Sequence, residues 1–587
     1  MTDSAKLFLY GNEAVALAAA HAGVKMGTGY PGTPSTEILE TLAGFGDPAI
    51  VARWAPNEKV ALEVGLGAAF AGARTLVTMK HVGVNVAADP LFTAAYTGVR
   101  GGLVLVTADD PAMHSSQNEQ DNRHYAEAAG LPMLEPASSQ EAYDFTRLAF
   151  ELSERYETIV LLRPTTRTCH SKGIVTPRAP DAIERRYVFE RDIPRLVMVP
   201  GNARKRHKAL EAKLEELAAC SNASELNVCV GEAKGASIGV VASGVAYQYV
   251  REVAPDLPVL KVGMCWPLPL QRIAEFTKAV GEVLVVEELS DFMLDHIRAA
   301  GIPARGKHPS FRLGELSPDR VERILAGKPA AEPKPREDLP PPRPPVLCPG
   351  CGHRSVFAIL KKLKLTVTGD IGCYTLGALP PLANLDTCIC MGASIGNALG
   401  IERVVEPEQA RRVVAVIGDS TFFHSGLTGV LDAVYNGSSG TLLILDNRTT
   451  AMTGGQAHPG TGKRLDGADA PAIDPADVCR GLGVRDVKVV DPYDRAALEQ
   501  MLNESLANDA FSVIVCRHPC LLLTRGEKRD LYRVEPQVCK DCGACLRVGC
   551  PALCQAQGHV EILTAYCAGC GLCADVCKFG AIVKVDA

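Results

Sequence analysis

Apolar residues run through most of the chain in short uninterrupted blocks, each followed by a longer stretch rich in small and charged residues. In residues 1–185, GGLVLVTAD (101–109) and ETIVLLRP (157–164) have the length and branched content of buried strands. EKVALEVGLGAAFAGA (58–73) predicts a helix whose small residues pack closely. Residues 186–330 repeat the rhythm. A charged helix over 202–220, expected as a solvated surface element, precedes SIGVVASG (237–244), VLKVGMCWP (259–267) and GEVLVVEE (281–288). Each of these predicts a strand that reaches a loop at its carboxyl end. Residues 347–525 do the same with RRVVAVIGDS (411–420) and TLLILDN (441–447). Strands alternating with helices predict α/β domains built on parallel sheets.

Two segments break the pattern. KPAAEPKPREDLPPPRPPV (328–346) holds eight prolines, and an extended spacer is expected over 331–346. Residues 530–587 carry too little apolar content to fold on a hydrophobic core, so metal centres are expected to hold them together.

Composition narrows the function. No stretch approaches 18 apolar residues, which argues against a membrane span. The first residues lack the basic start, apolar core and small-residue site of a secretory signal, so a cytoplasmic protein is expected. A net charge of −6 argues against nucleic-acid binding by phosphate neutralisation. Of 21 cysteines, nine follow residue 530. In a large chain without a signal this density points to metal or clusters in a reducing compartment.

The tail reads Cys539-x2-Cys542-x2-Cys545-x4-Cys550-Pro551, then Cys567-x2-Cys570-x2-Cys573-x3-Cys577. Three thiolates at this spacing wrap three corners of a cubane, and a distant fourth closes the other cluster. Cys539, Cys542, Cys545 and Cys577 are thus expected to hold one [4Fe–4S] cluster, and Cys567, Cys570, Cys573 and Cys550 the second. Paired C-x2-C elements also make zinc ribbons, which leaves zinc as the alternative. The tail resembles a bacterial two-[4Fe–4S] ferredoxin domain. It departs from that pattern by the x4 spacing and by Lys578 where a proline is usual, and Cys554 competes with Cys550 as ligand.

Gly418-Asp419-Ser420 ends one predicted strand, and Asp446-Asn447 ends another 28 residues on. A carboxylate and an amide oxygen at adjacent strand ends suit magnesium, which takes oxygen ligands and shares its shell with phosphate. The pair resembles the thiamine-diphosphate signature, with Ser420 replacing its last glycine. The resemblance implies that Asp419 and Asn447 bind magnesium by their side chains and Thr449 by its carbonyl. Just upstream, MGASIGNALG (391–400) predicts a turn entering a helix, where Gly392, Ala393 and Ser394 can hold the diphosphate at the N-terminus.

The first segment resembles the pyrimidine-binding domain of 2-oxoacid:ferredoxin oxidoreductases. By register with Gly72, the resemblance assigns the cofactor-activating glutamate to Glu58; Glu63 is the rival by chemistry. YPGTPST (30–36) resembles the loop that holds the substrate carboxylate, with Thr33 as hydroxyl donor, and also reads as a turn before a helix capped by Ser35. Gly32 stands where pyruvate-oxidising relatives carry a bulkier residue, which implies room for a larger substrate. His81, His114 and His424 lie near these loops and receive no role. Cys348, Cys351, Cys373 and Cys520 match, by local motif, the ligands of a third cluster in the pyruvate-oxidising relatives; buried or zinc-binding cysteines are the alternative.

Taken together, nearly the whole chain resembles the large subunit of indolepyruvate:ferredoxin oxidoreductases. The order is a pyrimidine-binding domain (1–185), a middle α/β domain (186–330), a diphosphate-binding domain (347–525) and a ferredoxin-like domain (530–587). The resemblance implies thiamine diphosphate, Mg2+ and coenzyme A. It implies a smaller β subunit and ferredoxin as partners, and oxidative decarboxylation of an arylpyruvate. The same chemistry on pyruvate or a branched-chain 2-oxoacid, or a non-oxidative decarboxylase with a structural tail, are the alternatives.

Overall fold

The computed structural model describes residues 6–182, 186–332, 345–524, 530–556 and 558–585. Residues 333–344 of the proline-rich spacer lie outside the described residues. The chain divides into two compact units, Met1–Arg336 and Glu337–Ala587. Among the described residues no helix is long and apolar enough to cross a membrane.

The first unit is built on a seven-stranded sheet. Its order is Met264–Trp266, Met133–Leu134, Ile159–Leu162, Leu103–Ala108, Thr75–Lys80, Met26–Gly29 and Val51–Trp54. Six strands run parallel, and Met264–Trp266 joins the edge antiparallel. The run expected as one strand over 259–267 is therefore two. Val259–Val262 belongs to a separate four-stranded sheet with Val283–Val286, Gly239–Ser243 and Val228–Val230. The chain switches sheets at Gly263, where a Cβ would meet the Leu226 carbonyl at 2.8 Å and the Phe145 ring at 2.9 Å. Apolar patterning reports that both halves are buried, but not that a glycine lets them diverge. Residues of both sheets share one core, in which Leu62, Val77 and Leu105 pack with Leu260, Val262 and Phe292.

The second unit carries a six-stranded, all-parallel sheet. Its order is Thr387–Cys388, Thr366–Gly369, Val413–Gly418, Thr441–Asp446, Ser512–Arg517 and Asp486–Val490. Val413–Gly418, Thr441–Asp446 and Ser512–Arg517 are buried almost throughout, as expected of central parallel strands. The tail has two short antiparallel pairs, Tyr532–Val534 with Ile582–Lys584 and Leu553–Ala556 with His559–Ile562. Its apolar core is small, centred on Cys545, Val560 and Ile582.

Candidate functional site

In the second unit, Gly418 stands opposite Leu445 in a parallel pair, so the residues that follow both strands emerge together at the carboxyl end of the sheet. Asp419 is 3% exposed. Its Oδ1 accepts the Ser420 N–H at 2.8 Å. Its Oδ2 accepts the Arg448 N–H at 2.8 Å and Nε2 of His458 at 3.1 Å. Arg448 holds a left-handed backbone (φ 63°) between Asn447 and Thr449. The Asn447 Oδ1 accepts the Thr449 N–H at 3.1 Å, and Thr450 donates to the Ser420 hydroxyl at 2.8 Å. Asp446 is buried and held by Arg517 Nε at 2.7 Å. Burial, and then the charge of Asp419, push its carboxyl above the ordinary range. Two carboxylates at neighbouring strand ends repel, and a hard cation against Asp419 relieves both.

The turn predicted before a helix is present. Helix Ala393–Glu402 begins after Gly392, whose φ of +88° and 2.8 Å approach to Ser425 exclude a side chain. A carboxylate not anticipated from sequence sits at this N-terminus. Asp370 accepts the Gly392 N–H at 3.2 Å and the Ser394 hydroxyl at 2.8 Å, and Tyr374 donates to it as well. The Ala393 N–H is taken by the Cys390 carbonyl at 3.1 Å. Burial pushes the Asp370 carboxyl up to about 7. A neutral carboxyl there would orient the turn without repelling a neighbouring anion. His353, buried and pushed down to about 4 by burial, is the second unanticipated group near Asp419. No reading of the sequence gave Asp370, His353 or His458 a role; Asp370 alone had a signal, its place directly after strand Thr366–Gly369.

Cys348, Cys351, Cys373 and Cys520 gather next to Asp419 and Asn447. Burial pushes the Cys351 thiol up to about 12, and the Cys373 and Cys348 charges add to the effect. Burial likewise pushes Cys373 up to about 11, reinforced by Cys520, Cys348 and Asp419. The Cys520 N–H donates to the Asn447 carbonyl at 2.9 Å.

Cys539, Cys542, Cys545 and Cys577 line one pocket. Burial pushes Cys573 up to about 12, with Cys570, Cys550 and Cys567 as the neighbouring charges that raise it further. Cys550 is thus grouped with the second run, whereas Cys554 lies opposite Glu561 on a hairpin strand. Among the described residues no three His, Cys, Asp or Glu side chains are arranged to hold a single metal ion. The magnesium donors expected here are a different set: one carboxylate, one amide and one backbone carbonyl.

In the first unit, Glu58 opens helix Glu58–Phe70 and is 5% exposed. Asn57 caps this helix, accepting the Val60 N–H at 2.9 Å. A Cβ at Gly83 would lie 2.7 Å from Oε1 of Glu58, so the facing helix is cut away there. The rival Glu63 pairs with Lys59 at the surface. Thr33 lies in a turn where Ser35 donates back to the Gly32 carbonyl at 3.0 Å. Ser35 therefore closes the turn and makes no side-chain cap on helix Thr36–Gly44. The space beside Gly32 is not open either, because Lys80 methylenes lie 3.1 Å from where a Cβ would stand. Burial lowers the Lys80 amine to about 8, against the charges of Asp110 and Glu58. The Lys80 ammonium itself donates to the Ser115 carbonyl at 2.6 Å. His81 and His424 are buried against the Asn118 carbonyl and the Ser425 hydroxyl, and His114 is an exposed partner of Glu315.

Residues 17–210 match the pyruvate flavodoxin/ferredoxin oxidoreductase thiamine-diphosphate-binding family. Residues 370–516 match the C-terminal domain of thiamine pyrophosphate enzymes. An indolepyruvate oxidoreductase subunit IorA from Archaeoglobus fulgidus is 42% identical over 99% of this chain and 98% of its own. That of Methanothermobacter thermautotrophicus is 41% identical over 98% and 97%. A 2-oxoglutarate:ferredoxin oxidoreductase structure from Magnetococcus marinus covers 55% of this chain and 65% of its own at 16% identity, with a TM-score of 0.48. With full-length identity of this order and both thiamine domains matched, the chain belongs to the indolepyruvate oxidoreductase subunit IorA family and is a thiamine-diphosphate-dependent enzyme of oxidative 2-oxoacid decarboxylation.

Proposed function

We propose that the substrate is an arylpyruvate such as indolepyruvate or phenylpyruvate. Coenzyme A is the acyl acceptor and two ferredoxins each take one electron. The products are an aryl-acetyl-CoA, carbon dioxide and two reduced ferredoxins. Thiamine diphosphate, when bound, supplies the electron sink for the carbanion left by decarboxylation. In the second unit Asp419, Asn447 and the Thr449 carbonyl hold Mg2+. The turn Gly392–Ser394, with Gly418 and Ser420, faces the diphosphate. In the first unit Glu58 holds a proton against the aminopyrimidine ring and so favours the imino tautomer, while Thr33 and Lys80 take the substrate carboxylate. The tail carries two [4Fe–4S] clusters on the sets named above, and Cys348, Cys351, Cys373 and Cys520 carry a third. A smaller β subunit completes the enzyme, which acts in a reducing, cytoplasmic compartment.

One observation carries the oxidative reading. The Cys520 N–H bonds to the Asn447 carbonyl, and Cys373 lies within electrostatic reach of Asp419. A one-electron carrier on this cysteine set would adjoin the residues that bind the cofactor, an arrangement a non-oxidative decarboxylase does not need. The aryl preference is supported by the names of the relatives and not by Gly32, whose vacated space Lys80 fills. The test is CoA-dependent viologen reduction by the chain co-purified with its partner, across indolepyruvate, phenylpyruvate and pyruvate. The expected kcat/KM for the aryl substrates exceeds that for pyruvate by at least about tenfold, the scale of an apolar pocket. Aldehyde release without reduced carrier identifies the non-oxidative alternative, and equal rates with pyruvate refute the aryl preference alone.

A further inference from the structure

We propose that Arg354 and Arg495 set the reduction potential of the cluster on Cys550, Cys567, Cys570 and Cys573 above that of the cluster on Cys539, Cys542, Cys545 and Cys577. This rests on the iron–sulfur reading of the tail.

Arg354 is 2% exposed. Its guanidinium donates to the Cys348 carbonyl at 3.1 Å, to the Val548 and Gly549 carbonyls at 3.2 and 2.6 Å, and to the Leu347 carbonyl. It thereby ties the Cys348 loop to the two residues that precede Cys550. The unusual x4 spacing of the first cysteine run ends at this contact. Gly549 takes a φ of +69°, and a Cβ on it would lie 2.7 Å from Pro381 and 3.3 Å from the guanidinium. The cysteine loops themselves touch: a Cβ at Gly350 would lie 2.5 Å from that of Ala568, between Cys567 and Cys570.

Arg495 opens helix Arg495–Leu506, and its side chain is 14% exposed. Nη2 pairs with Asp575. Nε and Nη1 are buried and have no hydrogen-bond partner among the described residues. Burial lowers the pKa of this guanidinium, and Cys570, the Tyr532 phenol and Cys573 are the neighbouring groups that oppose that effect. Two buried N–H donors with no oxygen acceptor, beside two cluster cysteines, suit hydrogen bonds to sulfur.

The other set has no buried guanidinium among the described residues that line it; two of its sulfurs accept backbone donors, Cys539 from the Asp541 N–H at 3.4 Å and Cys577 from the Ala581 N–H at 3.3 Å. Lys540 is the one cationic residue lining its pocket among the described residues, and it is exposed, so water screens it. Cluster potentials depend on local charge, hydrogen bonds to sulfur and solvent exposure. Each added electron makes a cluster more negative, and a buried guanidinium favours that state. The cluster against the Cys348 loop is therefore the one that fills first.

The test is an EPR-monitored redox titration of the full-length holoenzyme with its partner, with Cys542→Ser used to assign the two tail signals. Arg495→Met should move the Cys570-set midpoint negative by at least a tenfold change in its reduction equilibrium, 59 mV for one electron. The Cys539-set midpoint and the iron content should stay put. Arg495→Lys, which keeps the charge, should show a smaller shift of the same sign. If the Met variant loses iron, the Lys variant decides. Full iron with both midpoints unmoved overturns the proposal. Wild-type iron well below about eight per chain overturns the cluster reading, and this proposal with it.

Discussion

The two units bury polar groups in opposite ways. In the first, Arg123 and Arg163 are fully buried, and the chain supplies their counter-charges. Arg123 reaches Glu287 and Asp121, both at 2.6 Å, and Arg163 reaches Asp109 at 2.6 Å. Burial would raise the Asp121 carboxyl, but the two guanidiniums hold it far below its ordinary range. In the second unit, burial pushes the Cys351, Cys373 and Cys573 thiols to values at which they stay protonated, although Arg354 and Arg495 lie near these cysteine sets. A buried charge persists only when paired. The first unit thus meets these buried guanidiniums from its own side chains, whereas Cys351, Cys373 and Cys573 would become thiolates against a bound cation.

Four experiments test this contrast. The largest expected effect is on Cys373→Ser, which should lower iron from about twelve to about eight atoms per chain and abolish carrier reduction. An unchanged iron count would remove this set from the relay. Next is Glu58→Gln, in the first unit. Thiazolium proton exchange should slow by about 10²–10⁴-fold with cofactor binding retained. Wild-type exchange would shift the role off Glu58, even though Glu63 is paired at the surface.

Arg123→Met should destabilise the first unit by about 3–5 kcal/mol by stranding Glu287 and Asp121, with iron content unaffected. Denaturant unfolding followed by proteolysis of each unit checks it, and equal loss in both units would break the contrast. The smallest effect concerns pH. Burial pushes Glu288 up to about 7 from an ordinary 4.5. The folded protein then holds a proton that the unfolded chain releases above 4.5. This contribution to stability is full below 4.5, falls as pH rises towards 7, and is flat beyond. Its size is about 3 kcal/mol at 1.36 kcal/mol per unit. Glu288→Gln should flatten the dependence of the urea midpoint between pH 5 and 8, and an unchanged slope assigns it to another group.

Much of the second unit was legible because its signals are local. The run Val413–Gly418 followed by Asp419 predicts a buried strand with a carboxylate at its carboxyl end, and the structure has the strand buried and Asp419 buried after it. Cysteine spacing likewise anticipated which tail residues share a pocket. Groups that reach the site from distant sequence were not legible. Asp370 meets Gly392 and Ser394, and Lys80 fills the space beside Gly32, through contacts made by strands that pair only in the fold. Periodicity reports burial and direction of a side chain but not its partner across the sheet.

What the sequence by itself determined was therefore the inventory: parallel α/β units, an aspartate and an asparagine after two neighbouring strands, a helix that opens on Glu58 and cysteines clustered by short spacings. These follow from hydrophobic runs and short spacings, whose physics acts within a few residues. Tertiary structure alone decided the arrangement. It split 259–267 between two sheets at Gly263, exposed Glu63 while burying Glu58, grouped Cys550 rather than Cys554 with the second run, and set Arg354 and Arg495 beside it. Each outcome depends on close packing between segments far apart in the chain, where sub-ångström fit and the cost of stranding a buried charge select one arrangement from many.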